Sequence, residues 1–99
     1  MKIAAVCQSG LGSSFMVQMN IEAILHEENV DTSHIEITHF DTGGLNEQAA
    51  DYFFLGNDLK DQASGLPEDR VYLLKSLIDK EELRGKINEI LDKENIQHS

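Results

Sequence analysis

Short apolar runs alternate along the chain with longer stretches in which apolar residues recur at helical spacing. Four runs have the length, and the content of β-branched and aromatic residues, that buried strands require. They lie at residues 3–6, 35–40, 52–55 and 71–74. The pattern therefore predicts four strands, and the second of them ends at the turn sequence Asp-Thr-Gly-Gly of residues 41–44.

Amphipathic stretches between and after these runs predict helices. The first helix is capped by Ser13 or Ser14 and runs to about Asn29, whereas Asp79 with Glu82 has the capping-box spacing that opens the last helix. The residues expected on their buried faces are Val17, Ile21, Ile24 and Leu25 in the first helix, and Leu83, Ile87, Ile90 and Leu91 in the last.

The alternation of strands and helical segments predicts the fold class. Two shorter helical segments are expected, one over residues 45–50 and one that is capped by Asn57 or Asp58 and runs through Ala63. Strands separated by such crossovers pair in parallel. We therefore expect one three-layer α/β domain over residues 1–99, with four parallel strands in the order 2-1-3-4. The carboxyl end of strand one then lies at a topological switch point, where such sheets bind ligands.

Charge and composition exclude several classes of function. Eight Lys and Arg against eighteen Asp and Glu give a formal net charge of −10, which argues against binding to nucleic acid or to an anionic membrane surface. One cysteine excludes an internal disulfide and an all-cysteine zinc site, and a lone thiol suits the reducing cytosol. With neither a signal peptide nor a membrane span in the sequence, we expect a cytoplasmic domain that does not insert into the membrane.

The candidate chemistry lies in the segment that follows strand one, which reads Cys-Gln-Ser-Gly-Leu-Gly-Ser-Ser from Cys7 to Ser14. Gly10 and Gly12 permit positive φ and close backbone approach, so successive N–H groups can converge on an anion. The start of the first helix adds further donors and partial positive charge. A Cys7 thiolate would be stabilised there, with its pKa below the ordinary value of about 8.5. The plainer interpretation is a buried strand-end cysteine beside a tight turn.

This segment resembles the phosphocysteine loop of a known family. The pattern Val6-Cys7-x-x-Gly10-x-Gly12-Ser13-Ser14 is similar to that of enzyme IIB components of the bacterial phosphoenolpyruvate-dependent sugar phosphotransferase system. The continuation Met16-x-x-Met19-Asn20-Ile21 resembles the ascorbate-type branch, with the mannitol and galactitol IIB components as more distant relatives. The strand spacing and the last amphipathic helix extend the resemblance over essentially the full chain.

The resemblance implies a phosphocarrier. In this family the loop cysteine takes a phosphoryl group from a phosphohistidine of enzyme IIA and passes it to a sugar held by the membrane-embedded enzyme IIC. Cys7 would then be the catalytic residue. The implied phosphate cradle consists of Gln8, Ser9, Gly10, Leu11, Gly12, Ser13 and Ser14. Neither a metal nor an organic cofactor is implied, and the sugar would be ascorbate or a related pentose or hexitol.

Two other functions remain open from the sequence. Low-molecular-weight tyrosine phosphatases have the expected fold and loop placement, but their Cys-x5-Arg motif requires an arginine where this chain has Ser13. No arginine occurs before Arg70, and no Asp-Pro motif supplies a leaving-group acid, so phosphatase activity is disfavoured. The other alternative is a non-catalytic regulatory module that retains a phosphate-binding loop, which a failure to accept phosphate from IIA would favour.

Four further residues are expected at the same edge of the sheet. His39 and Asp41 end strand two, from which they can approach Cys7, and Lys75 and Ser76 follow strand four. Their simpler roles are those of a strand-end histidine, a turn aspartate and a solvated loop. The acidic pairs at residues 27–28 and 81–82 are expected on solvated helix faces.

Overall fold

The four strands form one parallel sheet in the order β2-β1-β3-β4. In the computed structural model, which describes residues 1–7, 13–76 and 79–96, the strands start and end within one residue of their predicted positions. They are β1 at Lys2–Cys7, β2 at Glu36–Asp41, β3 at Tyr52–Gly56 and β4 at Val71–Leu74. The predicted α/β class and strand order are confirmed, and β1 lies in the interior of the sheet.

Two α-helices, α1 at Ser13–Glu27 and α2 at Lys80–Lys93, pack on one face of this sheet. All eight side chains that were expected to face the core are buried, and they form one cluster with the apolar residues of the strands. The strand residues of this cluster are Ile3, Ala5, Tyr52, Phe54, Tyr72 and Leu74. Helical spacing alone therefore predicts how both helices are oriented on the sheet.

Both α-helices end in the same motif. Asn29 and Asn95 have φ angles of 56° and 57°, a left-handed conformation that asparagine tolerates better than most residues. After the first of them, the Val30 N–H donates to the carbonyl of Leu25 at 3.0 Å, and the equivalent bond closes α2. These are Schellman motifs, and the first of them ends α1 at Glu27, close to the predicted end at Asn29.

The opposite face of the sheet is covered by a 3-10 helix and loops instead of α-helices. A 3-10 helix at Asn57–Ala63 places Leu59 against β1 and β3, and Leu66 packs beside it. The predicted helical turn over these residues is confirmed, although its N-cap is Gly56 and no side chain caps it. The third layer of the predicted three-layer fold is thus a 3-10 helix with its adjoining loops.

The prediction of a short helix over residues 45–50 is wrong. Oδ1 of Asn46 accepts a hydrogen bond from the backbone N–H of Gln48 at 2.9 Å, which closes a turn at this point. Arg70, which directly precedes β4, donates through Nη2 to the carbonyl of Glu47 at 2.7 Å and also to that of Ala50. The turn at Asn46 and these contacts with Arg70 together hold the segment as a loop.

The acidic pair at the end of α1 was predicted on a solvated helix face, which holds for Glu27 but is wrong for Glu28. Glu28 is only 5% exposed, and its Oε2 lies 3.3 Å from Nη1 of Arg84 in α2. Glu27 lies 2.6 Å from the same guanidinium and 2.6 Å from Nζ of Lys80. This ion-pair network joins the carboxyl end of α1 to the first turns of α2.

The network makes the free energy of unfolding depend on pH. Hydrogen bonds from Lys80 and then Arg84 lower the pKa of Glu27 from the usual 4.5 to about 2. Because the pKa is lower in the folded state, the carboxylate stabilises the fold above about pH 4.5 and loses that effect as the pH falls toward 2. We expect Glu27→Gln to lower the urea midpoint at about pH 6, with the difference shrinking between about pH 4.5 and 2. A difference that stays constant with pH would contradict this.

Candidate functional site

The candidate site lies at the carboxyl edge of the sheet. Cys7 ends the interior strand β1 and is 6% exposed, and α1 begins at Ser13 after a five-residue connection. The connection, Gln8, Ser9, Gly10, Leu11 and Gly12, lies outside the described residues, as do the side chains of Ser13 and Ser14. Their role as a phosphate cradle stays a prediction. The thiol and the start of a 15-residue helix are nevertheless brought to one edge.

The start of α1 at this edge suits an anion. The first turn of α1 contains no acidic residue, and residues 3–21 contain no Asp, Glu, Lys or Arg. Helix N-termini carry partial positive charge and amide groups that lack intrahelical partners. A negative group on Cys7 would therefore meet this end of α1 without repulsion from a side chain of the helix.

Asp41 is the residue brought level with Cys7, since the two are register partners on β2 and β1. Its carboxylate is engaged within its own turn, where Oδ1 accepts the N–H of Gly43 at 2.9 Å and caps a 3-10 helix at Thr42–Gly44. The simpler prediction of a turn aspartate is thus confirmed.

His39 is directed to α1. Its Nδ1 is hydrogen-bonded to Oε1 of Gln18, whose Nε2 in turn donates to the carbonyl of Ile37 at 3.1 Å. The ring of Phe15 lies beside it, with ring centroids 5.4 Å apart. His39 therefore joins β2 to the first turns of α1. Gln18 was not predicted to take part in the site, and no sequence motif singles it out.

Glu82 organises the connection between β4 and α2, although the sequence suggested that it faces solvent. Its carboxylate accepts the N–H of Lys75 at 2.9 Å and that of Ser76 at 3.1 Å. Asp79 caps the helix as predicted, because its Oδ1 accepts the N–H groups of Glu81 and Glu82 at 3.1 Å. The two candidate residues after β4 are therefore fixed through their backbone by an acidic side chain of α2.

Glu82→Gln should loosen this connection. An amide has one acceptor oxygen where the carboxylate offers two with full charge, so the free energy of unfolding should fall by about 1–2 kcal/mol. The amides of Lys75 and Ser76 should exchange hydrogen faster. Glu81→Gln is the matched control, because that neighbouring side chain is 84% exposed. Equal stability and exchange in the two variants would show that the carboxylate contacts contribute nothing.

Several other kinds of site are not found in the described part of the chain. Among residues 1–7, 13–76 and 79–96, no group of three or more His, Cys, Asp and Glu is placed to hold a metal ion. Within the same ranges, no helix is both long and apolar enough to cross a membrane.

A model of a known protein family matches most of the chain. The sequence model of a family described as "PTS system, Lactose/Cellobiose specific IIB subunit" matches residues 2–89. The chain belongs to this family. It is accordingly a IIB component of the sugar phosphotransferase system, whose members carry phosphoryl groups and work with IIA and IIC partners.

The fold is similar to that of a solved structure. The chain is similar to a low molecular weight protein tyrosine phosphatase from Bacillus subtilis, with a TM-score of 0.57 and 16% identity over 92% of each chain. This confirms the predicted similarity of fold, and at such identity it shows the fold alone. No curated protein sequence matches the chain.

Proposed function

We propose that this protein, as a single IIB domain over residues 1–99, carries phosphate on Cys7 in the cytosol. The observation that supports the proposal is the position of the one cysteine in the chain. Cys7 ends the interior strand of the sheet and directly precedes the connection to α1, whose first turn has no acidic residue. A phosphoryl group attached there would face a helix N-terminus.

The proposed reaction is a transfer in two steps. The Cys7 thiolate attacks phosphorus in the phosphohistidine of enzyme IIA, so that the N–P bond breaks, the S–P bond forms and the imidazole takes up a proton. A hydroxyl of the sugar bound by enzyme IIC then attacks the same phosphorus and loses its proton. The S–P bond breaks, and the thiolate is regenerated.

The cradle in this proposal is the segment after Cys7. Its members are Gln8, Ser9, Gly10, Leu11, Gly12, Ser13 and Ser14. Their backbone N–H groups would bind the phosphoryl oxygens without adding a charge of their own. No metal or organic cofactor takes part.

The proposed sugar is ascorbate or a related pentose or hexitol. The support is the sequence after the loop, Met16-x-x-Met19-Asn20-Ile21, which resembles the ascorbate-type branch. The family description itself names lactose and cellobiose. Phosphorylated IIA proteins of both classes therefore belong in the test.

The decisive experiment measures the intact mass after incubation with histidine-phosphorylated IIA proteins. A carrier gains the mass of one phosphoryl group, and the gain is stoichiometric when the donor is in excess. Preferential transfer from an ascorbate-type IIA supports the finer assignment, whereas preference for a lactose-type IIA contradicts it. A protein that gains no mass from any donor would be a regulatory module and would refute the proposal.

A further inference from the structure

A hydrogen-bonded bridge joins β2, which lies at one side of the sheet, to the first turns of α1. Its central residue is Gln18, which is half-buried and lies in the second turn of the helix. Nε2 of Gln18 donates to the carbonyl of Ile37 at 3.1 Å, and Oε1 of the same amide is bonded to Nδ1 of His39. We call these two side chains, with their two hydrogen bonds, the Gln18–His39 bridge.

The bonds of the amide determine which nitrogen of His39 carries a hydrogen. Because Nε2 of Gln18 is the donor to Ile37, the atom that faces the imidazole is the amide oxygen, which only accepts. Nδ1 of His39 therefore donates, in the neutral ring as well as in the protonated one. The bridge thus does not require a charge on His39, and an amide N–H at the position of Nδ1 can take its place.

The bridge lies on the same face of the sheet as Cys7. Side chains alternate between the two faces of a strand, and Ala5 packs in the cluster beneath the α-helices, so Cys7 is on that face as well. Ala5 and Cys7 are the register partners of His39 and Asp41. His39 is therefore a diagonal neighbour of Cys7 on the adjacent strand.

Among the side chains described at residues 15–18, one buried residue and the bridge attach the start of α1 to the sheet. Val17 is the buried residue, whereas Phe15 is 49% exposed. The ring of Phe15 meets the sheet at the bridge itself, with its centroid 5.4 Å from that of His39. The next core residue is Ile21, one turn further along the helix. The position of this end of α1 thus depends on the bridge as well as on Val17.

We propose that Gln18 and His39 are positioning residues for the phosphoryl transfer at Cys7, because their bridge holds the N-terminus of α1 where its amide groups act on the sulfur. The inference rests on the proposed function and adds the residues that set the reactivity of the thiol. The effect of a helix N-terminus on an anion falls off within about one turn, so a small displacement of α1 weakens it. The thiolate and the phosphoryl group would both lose this stabilisation.

The test titrates the thiol of Gln18→Met through the ultraviolet absorbance of the thiolate, with Cys7→Ser as the blank. Methionine is of similar length and favours helices, but it forms neither bond of the bridge. The substitution changes no charge, so His39 and Asp41 on β2 and Asp58 after β3 are left in place. We expect the pKa of Cys7 to rise by about half a pH unit, and kcat for transfer from phosphorylated IIA to fall about threefold at neutral pH and unchanged KM.

Three control variants separate positioning from other roles, and circular dichroism confirms that each is folded. Gln62→Met makes the same substitution at an exposed position of the 3-10 helix at Asn57–Ala63, and it should titrate like the wild type. His39→Asn keeps an N–H donor at the position of Nδ1 and should also titrate near the wild type. His39→Leu keeps no donor and should match Gln18→Met.

Other outcomes would overturn the inference in distinct ways. A lower urea midpoint of Gln18→Met with an unchanged titration of the thiol would show that the bridge contributes to stability alone. Equal shifts in His39→Asn and His39→Leu would show that the imidazole acts on the thiol through its own charge. The titration needs no donor protein, so the expected shifts support the bridge even where no IIA phosphorylates the wild type, a result that refutes the proposed function alone.

Discussion

Cys7→Ser is expected to abolish phosphate incorporation from IIA. A serine hydroxyl at this position lacks the low pKa that makes a thiol a nucleophile at neutral pH. The Nδ1 atom of His39 is bonded to Gln18, and the carboxylate of Asp41 caps its own turn. We expect no detectable gain in mass and an unchanged far-UV circular dichroism spectrum.

The control for Cys7→Ser is a measurement of its stability by urea unfolding. Cys7 and serine differ by a single atom, so a modest change in the urea midpoint is compatible with an intact fold. Phosphate that persists in a folded Cys7→Ser protein would place the acceptor elsewhere. His39 would then be the first residue to replace, because it lies on the strand next to β1.

Phosphate bound to Cys7 is expected to resist hydrolysis. A phosphatase with this fold needs a guanidinium clamp for the charge of the transition state and an acid that protonates the leaving group. Both arginines of this chain are engaged away from the carboxyl edge. Arg70 binds the carbonyls of Glu47 and Ala50 before β4 begins, and Arg84 pairs with the acidic residues at the far end of α1.

The acid is missing from its expected place as well. Asp79 is the first carboxyl group after β4, and it caps α2 through two backbone amides. Loss of general acid–base assistance alone slows such reactions by about 10²–10⁴-fold. The phosphothiol should therefore last long enough to meet a transporter.

The measurement follows the mass of purified phosphoprotein in buffer after removal of IIA, together with turnover of p-nitrophenyl phosphate. We expect slow loss of phosphate and no multiple turnover. Rapid release of nitrophenol that is abolished by Cys7→Ser would contradict the carrier function and favour a phosphatase. Asp41, the register partner of Cys7, would then be the first candidate for the acid.

Local patterns were sufficient to predict the sheet and both α-helices. Each strand is a short apolar run bounded by turn residues, and each helix buries a stripe whose spacing is visible in the sequence. Parallel pairing followed from the crossovers between strands, which leave few topologies open. Cys7 was placed correctly for the same reason, because its position follows directly from where β1 ends.

The predictions that failed depended on partners far away in the sequence. Residues 45–50 contain good helix formers, but the carbonyls of Glu47 and Ala50 bind Arg70, which lies 23 and 20 residues further along the chain. Glu28 is buried because Arg84 of α2 meets it, at a separation of 56 residues. The spacing of Asp79 and Glu82 predicted the start of a helix. It did not predict that the carboxylate of Glu82 would accept the N–H groups of Lys75 and Ser76.

The interior position of β1 has a consequence for the chain as it is synthesised. The strand that carries Cys7 is made first, but its neighbours β2 and β3 emerge from the ribosome only after residues 41 and 56 have been added. Such long-range parallel pairing forms late. The thiol is therefore open to oxidants on the nascent chain and is sheltered, at 6% exposure, only when synthesis is well advanced.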